Sequence, residues 1–213
     1  MFKLIKVMLV DDHAVVRAGY KVLLKNTPEI AVIAEANSGE EAYKLYITHK
    51  PDVIVMDLSL PGIGGIEAIK RICSRDKKAT ILVFSMHEEV IFVEQSLQAG
   101  ASGYITKSTD PQLLIEAIIC LSRGEKFIDA ELAQRLAYEK HRGQDSLLSE
   151  LSSREFEIFC MLAEGSNTSE IAKKLFLSYK TVANYSTQIK NKLNVSSIAD
   201  IARLAIRHNI IRA

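Results

Sequence analysis

The sequence is poor in the residues that mark several protein classes. It has three cysteines, four prolines and ten glycines among 213 residues. Cys73, Cys120 and Cys160 are odd in number, widely spaced and set among apolar neighbours, so we expect reduced core thiols without a metal or redox role. The low proline and glycine content excludes a collagen-like chain, and a hydrophobic fraction of 48% excludes a disordered one.

Long apolar runs are also missing. The most apolar stretch, 113–121, is interrupted by Glu116 and is much shorter than the roughly 20 residues that a membrane-spanning helix needs. The N-terminal residues run into a strand-like pattern that meets Asp11 and Asp12, without an apolar helix followed by a small-residue cleavage site. We therefore expect a cytoplasmic protein.

The charges balance over the whole chain but not along it. Lys and Arg number 27, and Asp and Glu number 26. Residues 166–213, however, carry eight basic residues against two acidic ones, a net charge of +6. A surface of this kind attracts a polyanionic partner, although a solvated helical face explains the same charges equally well.

Two domains joined by a helical linker are expected. Five strand-like runs alternate with five helix-like runs over 1–123, which is typical of a doubly wound α/β domain with a parallel sheet covered on both faces. After about residue 124 no further strand pattern is found, and we place the linker at 124–147, with a polar break at 141–146. Four short helical segments follow in a second domain of residues 148–213, and we predict them at 153–164, 168–175, 180–193 and 198–208.

Polar side chains follow the strands at the edge where open parallel sheets bind ligands. Strand one ends in Asp11 and Asp12, strand three in Asp57, strand four in Ser85 and strand five in Lys107. Three carboxylates at one edge repel one another unless a cation joins them, and an all-oxygen site suits Mg²⁺. Such a metal recruits a phosphate, which Lys107 and Ser85 can bond while Asp57 attacks phosphorus. Each residue alone is explained as well by a turn, a helix cap or a surface lysine, so the inference depends on the constellation.

These residues resemble a response-regulator receiver domain over nearly all of residues 3–123. The resemblance rests on the paired aspartates, the run Val-Ile-Val-Met-Asp at 53–57 with Leu-Pro-Gly at 60–62, and the run 99–107. It implies a CheY-like (βα)5 fold and phosphorylation of Asp57 by a partner histidine kinase. It also implies that Asp12, Asp57 and the backbone carbonyl of Ser59 hold Mg²⁺, assisted by Asp11.

The same resemblance implies a conformational switch. Ser85 is expected to move toward the phosphoryl group while Tyr104 turns inward. The alternative for Tyr104 is a half-buried aromatic that packs beside the last strand. His87 is similar to positions that tune acyl-phosphate lifetime in the family, with plain surface exposure as the alternative.

The second domain resembles the LuxR/NarL-type four-helix DNA-binding domain over residues 148–211. The resemblance rests on the segments 151–155, 167–175, 177–185 and 192–195, which include a helix, a tight turn and a helix that bears Lys-Thr-Val near its start. Ser178 is expected to cap that third helix, with Thr181 in place of the acidic residue of a full capping box. The predicted core residues are Ile171, Ala172, Leu175, Leu177, Val182, Ile189 and Leu193.

The third helix is expected to enter the major groove of DNA. The resemblance implies base contacts by Ala183, Asn184 and Thr187. It implies phosphate contacts by Lys180, Thr181, Tyr185, Lys190 and Lys192.

The chain departs from the family pattern in three places. Ser186 and Gln188 stand where many relatives carry basic residues, and Tyr179 stands where proline is common. These changes predict weaker phosphate affinity from the helix, which dimerisation through Ile198, Ile201 and Ala205 of the last helix would offset. Packing of that helix on its own domain explains at least half of the same stripe.

The favoured function is that of a two-component transcription factor in which phosphorylation of Asp57 switches DNA binding. The alternatives are an aspartyl-phosphate phosphatase, which would need an acid two residues after the nucleophile where Ser59 stands, and a DNA-binding protein that ignores phosphorylation. Within the NarL/FixJ class, the segments 130–136 and 202–211 look most like GacA/UvrY-type global regulators. We therefore expect a sensor kinase, promoter DNA and a second copy of the chain as partners, and no enzymatic turnover of outside substrates.

Overall fold

The computed structural model describes residues 4–141 and 147–211. The described chain forms a β/α alternation followed by helices. The elements are β1 (Ile5–Val10), α1 (Ala14–Lys25), β2 (Ile30–Ala36), α2 (Gly39–His49), β3 (Val53–Met56), α3 (Gly65–Arg75), β4 (Ile81–Ser85), α4 (Val90–Ala99), β5 (Gly103–Thr106), α5 (Pro111–Ser122), β6 (Phe127–Ile128), α6 (Ala130–His141), a 3₁₀ turn (Leu147–Glu150), α7 (Ser153–Ala163), α8 (Thr168–Lys174), α9 (Tyr179–Lys192) and α10 (Ile198–Arg207).

The strands form one parallel sheet in the order β2-β1-β3-β4-β5-β6. β3 and β5 are buried along their whole length, because helices cover both faces of a parallel sheet. The strand order reverses beside β1, which places the carboxyl ends of β1 and β3 next to each other. This is the switch point at which doubly wound sheets bind ligands. The predicted α/β fold is confirmed.

A sixth strand corrects the expectation that strands end before residue 124. β6 pairs with β5 in parallel, with Phe127 opposite Gly103 and Ile128 opposite Tyr104. A Cβ atom at Gly103 would collide with the carbonyl oxygen of Phe127, so the glycine allows the two backbones to approach. A strand of two residues is too short to show any periodicity, which is why the sequence pattern missed it.

By its internal contacts the chain divides into two compact units. The first unit comprises residues 1–88 and 96–134, and the second comprises residues 89–95 and 135–213. The core of the first unit includes Val7, Leu9, Val55, Leu82 and Ile118. These side chains come from the sheet and from α5, which packs over it.

The second unit contains the 3₁₀ turn and helices α7 to α10. Phe156, Phe159, Ile171, Val182 and Ile201 are among its buried residues. Six of the seven predicted core residues of the helix-turn-helix are buried, and Leu177 is half-buried. The bounds of the four predicted helices agree with the structure to within a residue or two.

No helix within residues 4–141 and 147–211 combines the length and the apolar character that a membrane span requires. The three cysteines are free. Cys73 is buried, whereas Cys120 and Cys160 are half-buried.

Candidate functional site

The acidic residues meet at the carboxyl ends of β1 and β3. The backbone N–H of Asp11 donates to Ala36 in β2 at 3.1 Å, and that of Asp57 donates to Val10 at 2.9 Å. These bonds extend the sheet ladder by one residue and set the two aspartates side by side. Both are buried, with 6% of Asp11 and 3% of Asp57 exposed.

Lys107 joins the two buried aspartates. Its Nζ lies 2.6 Å from Asp11 Oδ2 and 2.8 Å from Asp57 Oδ2. The lysine follows β5, and its backbone N–H donates to Ser85 at 2.8 Å. Burial acts to lower the pKa of Lys107, but the hydrogen bonds and charges of Asp11 and Asp57 outweigh it and the pKa is raised. The ammonium group therefore stays charged and balances part of the acidic cluster.

The loop after β3 holds the Asp57 carboxylate in place. The backbone N–H of Leu58 donates to Asp57 Oδ1 at 2.7 Å, and the N–H of Gly65 donates to the carbonyl of Leu58 at 3.0 Å. A Cβ atom at Gly65 would collide with the carbonyl oxygen of Asp57. Glycine is thus required for α3 to begin so close to the backbone of Asp57.

Asp12 lies at the open side of the cluster. Its Oδ1 is 2.7 Å from Nδ1 of His13, and potential ligand atoms of Asp11, Asp12 and His13 all lie within 4.8 Å of one another. His13 is a neighbour that the sequence reasoning did not single out, although it directly follows the paired aspartates. Two carboxylates that converge on an accessible position have the hard oxygen donors that Mg²⁺ prefers, so the residues present fit this ion.

Ser85 and Tyr104 line the next edge of the site. Ser85 is the last residue of β4, rather than the first after it, and is fully buried. Its Oγ accepts from the backbone N–H of His87 at 3.4 Å. Tyr104 is also fully buried, and its hydroxyl donates to the carbonyl of His87 at 2.8 Å. The aromatic ring therefore lies inside the receiver domain in this structure, and its movement on phosphorylation stays a prediction.

His87 also contacts the loop after Asp57. Its Nε2 lies 3.3 Å from Ser59 Oγ. This contact joins the loop after β3 to the loop after β4 at the mouth of the acidic cluster. The predicted receiver residues are thus brought together at one edge of the sheet.

The helix-turn-helix is formed by α8 and α9 in the second unit. Ser178 caps α9, and its Oγ accepts from the N–H of Thr181 at 3.0 Å, as expected. Among the expected DNA contacts, the exposed residues are Lys180, Asn184, Thr187 and Lys192, and the half-buried ones are Thr181, Ala183, Tyr185 and Lys190.

Two groups of predicted residues take part in the packing of the second unit itself. Lys192 Nζ lies 2.7 Å from Glu155 Oε2. On α10, Ile201 and Ala205 are fully buried, whereas Ile198 is 52% exposed. Burial at Ile201 and Ala205 is what packing of α10 on its own domain requires.

Comparison with known proteins places both halves of the chain in families. Residues 7–119 match the response regulator receiver domain, and residues 149–205 match the bacterial regulatory proteins of the luxR family. The chain is a response regulator. It joins a receiver domain to a LuxR-type DNA-binding domain, so its class is that of transcriptional response regulators.

Curated relatives match this chain along nearly its whole length. This response regulator is 37% identical to the response regulator UvrY of Escherichia coli K12 over 212 residues, which are 99% of this chain and 97% of UvrY. It is 37% identical to the response regulator GacA of Pseudomonas aeruginosa PAO1, with 99% of each chain covered. The predicted resemblance to GacA/UvrY-type regulators is confirmed.

A solved structure covers nearly the whole response regulator as well. RcsB of Salmonella enterica serovar Typhimurium, bound to the promoter P1flhDC in the presence of the phosphomimetic BeF₃⁻, is similar with a TM-score of 0.70 and 26% identity. The match covers 94% of this chain and 97% of that one. The CheY-like receiver and helical output architecture expected from the sequence is therefore confirmed.

Proposed function

We propose that Asp57 is the residue through which this response regulator receives its signal, as a phosphoryl acceptor for a sensor histidine kinase. The observation that carries the proposal is the pair of bonds from Lys107 Nζ to Asp11 Oδ2 and Asp57 Oδ2. A buried lysine that already touches the acceptor oxygen supplies the positive charge that a transferred phosphoryl group needs.

The transfer forms an acyl phosphate. An oxygen of the Asp57 carboxylate attacks the phosphorus carried by a histidine of the kinase, the O–P bond forms, and the N–P bond breaks. The electron pair of the broken bond stays on the imidazole nitrogen. Asp57 Oδ1 is held by the N–H of Leu58, so the carboxylate is oriented before the phosphoryl group arrives.

Mg²⁺ fits beside the acceptor, with Asp11, Asp12, Asp57 and the carbonyl of Ser59 as its proposed ligands. When bound, the ion neutralises negative charge on the phosphoryl oxygens. Asp12 suits this role because its carboxylate is partly open to solvent, whereas Lys107 occupies one oxygen each of Asp11 and Asp57.

Phosphorylation is proposed to act through Ser85 and Tyr104. Both bond to the backbone of His87, through its N–H and its carbonyl respectively. If the Ser85 hydroxyl turns toward a phosphoryl oxygen, its bond to His87 is lost and the loop after β4 is free to rearrange. This loop leads directly into α4, so a rearranged loop carries the change from Asp57 to the surface of α4.

The output is proposed to be control of transcription through promoter DNA, read by α9 of a homodimer. Support comes from the net charge of +6 over residues 166–213, the exposure of Asn184 and Thr187, and the structure of RcsB on DNA. Of the three expected dimer residues, Ile198 is still proposed, because it is exposed, whereas Ile201 and Ala205 are fully buried in the packing of their own domain. We propose the cytoplasm as the location, because promoter DNA lies there.

The domain limits expected from the sequence are 1–123 for the receiver, 124–147 for the linker and 148–213 for the DNA-binding domain. We propose them with one change, because β6 (Phe127–Ile128) belongs to the receiver sheet. The family matches at 7–119 and 149–205 support them. The polar break lies almost wholly in residues 142–146, outside the described residues.

A phosphatase that turns over outside substrates is the weaker candidate. Such an enzyme needs an acid two residues after the nucleophile to act as general acid and base. Ser59 stands at that position, and its hydroxyl contacts His87. A DNA-binding protein that ignores phosphorylation is also less well supported, because it has no need for a buried Lys107 that bonds both aspartates.

The test is phosphorylation by a small-molecule phosphodonor with Mg²⁺, followed by mass spectrometry. We expect wild type to gain one phosphoryl group that hydroxylamine removes, and Asp57→Asn to gain none. Asp52→Asn, which changes an aspartate near the opposite end of β3, is the matched control and should behave as wild type. Modification of Asp57→Asn to the wild-type extent would contradict the assignment.

A further inference from the structure

The four helices of the DNA-binding domain end in the same backbone motif. After each last turn, one residue adopts a left-handed conformation, and the next N–H reaches back to a carbonyl five residues earlier. The residue pairs of these bonds are Ser166 to Met161, Leu177 to Ala172, Val195 to Lys190 and Ile210 to Ala205. This is the Schellman motif, in which glycine or asparagine normally takes the left-handed position.

Phe176 is the exception among the four left-handed residues. Gly165 ends α7 with φ of 90°, Asn194 ends α9 with 52°, and Asn209 ends α10 with 57°. Phe176 ends α8 with φ of 52°, a conformation that bulky side chains rarely adopt. The sequence thus uses the favoured residues at three helix ends and a strained one at the turn of the helix-turn-helix.

The strain at Phe176 is not offset by burial of its ring. The side chain is 79% exposed. Tyr179, three residues later at the first position of α9, is 63% exposed. An apolar ring that is both strained and solvated gains nothing for the isolated protein, which points to a role in binding.

The surroundings of these two residues favour DNA as the partner. Lys180 follows Tyr179 directly and is exposed, and the N-terminus of the 14-residue α9 is the positive end of its dipole. Asn184 lies further along the same helix and is exposed as well. Phe176 and Tyr179 therefore lie exposed in the turn before α9 and at its first position, beside the positive end of the helix and the charge of Lys180.

We propose that Phe176 and Tyr179 extend the DNA contact of α9 along one sugar–phosphate strand. The Phe176 ring packs on deoxyribose, and the Tyr179 hydroxyl donates to a phosphate oxygen, which is a common use of tyrosine in protein–DNA complexes. Neither contact reads sequence or carries a positive charge. These contacts add affinity for DNA that partly replaces what α9 loses because Ser186 and Gln188 stand in place of the basic residues of many relatives. The inference deepens the proposed function and rests on α9 being the DNA-binding helix.

The test compares Phe176→Asn with wild type, using the full chain with Mg²⁺ and beryllofluoride. The probes are a duplex selected by the wild type from a random pool and a mixed-sequence duplex of the same length. We expect Phe176→Asn to bind both duplexes roughly tenfold more weakly. This is the affinity lost when part of a phenyl ring is no longer buried against the DNA. The salt dependence should stay unchanged, because no charge is lost, whereas Lys180→Ala should lower its slope by about one.

Thermal unfolding separates this role from a structural one. Phe176→Asn should unfold at the same temperature as wild type or higher, because asparagine relieves the strain. Asn209→Gly, which likewise eases a left-handed conformation but at the end of α10, should leave DNA affinity unchanged. Tyr179→Phe should bind a few-fold more weakly, as expected for one lost hydrogen bond.

Wild-type affinity for DNA in Phe176→Asn would overturn the proposal. If that unchanged affinity were accompanied by loss of expression from a reporter gene, the ring would belong to a protein-binding surface instead. Repeating each titration without beryllofluoride keeps the two claims separate. If beryllofluoride did not tighten DNA binding by wild type while Phe176→Asn still bound more weakly, the result would contradict the phosphorylation switch but not the role of Phe176.

Discussion

At the scale of single residues, Lys107 is the group on which the receiver site depends. It is the cation that lies between Asp11 and Asp57, and only 9% of its side chain is exposed. Its removal leaves two buried carboxylates that repel each other. The raised pKa of Lys107 means that its contribution to stability is fully present below its ordinary value of 10.5 and is lost as pH rises through the raised value.

We therefore predict that Lys107→Met lowers the free energy of unfolding by about 3 kcal/mol at pH 7, as expected when one partner of a buried ion pair is removed. Added Mg²⁺ should restore part of the loss by replacing the missing positive charge. Urea unfolding followed by circular dichroism measures both effects. The control is Lys21→Met, whose pair with Glu35 is exposed and worth less than about 1 kcal/mol. Equal losses in the two variants would contradict this account.

The sequence predicted the residues of the receiver site, but it did not predict every partner of the residues assigned to the DNA-binding domain. The aspartates, Ser85 and Lys107 could be found because parallel strands end at one edge of a sheet, so position in the chain implies position in space. Lys192 could not be assigned in this way. It pairs with Glu155, which is 37 residues away, and only the packing of α7 against α9 brings the two together.

At the scale of elements, capping explains where the helices of the DNA-binding domain begin. α7, α8 and α10 start with reciprocal capping boxes, formed by Ser152 with Glu155, Asn167 with Glu170 and Ser197 with Asp200. Such signals are local, which is why the predicted bounds agree closely with the structure. The strand β6 had no comparable local signal.

Of these three capping acids, Glu155 is the one that is also buried and ion-paired. Burial acts to raise its pKa, but the bonds from Lys192 and from Ser152 outweigh it, and the pKa is lowered from the usual 4.5. A carboxylate with a lowered pKa stabilises the fold above its unfolded value, and the contribution is lost as pH falls through its folded value.

Glu155→Gln is therefore predicted to lower the free energy of unfolding of the DNA-binding domain by about 2 kcal/mol at pH 7. The difference from wild type should shrink as pH falls below 4.5 and through the lowered folded pKa, since Glu155 takes up a proton first in the unfolded chain and then in the folded one. Denaturant unfolding across this pH range measures the trend. Glu170→Gln alters an exposed capping acid at the same helix position and should cost less. A difference that stays constant with pH would argue against the Lys192 pairing.

At the scale of the whole molecule, the chain combines a receiver domain with a LuxR-type DNA-binding domain. The α/β alternation, the helical second domain and the family were all predictable, because each depends on patterns that recur along many residues. The left-handed Phe176 was not, since a strained residue contradicts the local preferences from which prediction starts.

The measurement that tests the central claim most directly is DNA affinity at fixed salt, with and without Mg²⁺ plus beryllofluoride, for wild type and Asp57→Asn. The probe is a duplex selected by the wild type under activating conditions. We predict that beryllofluoride tightens wild-type binding at least about tenfold, within the usual range of allosteric coupling, and leaves Asp57→Asn unchanged. Equal affinity in all four conditions would contradict the account and leave a DNA-binding protein that does not respond to Asp57.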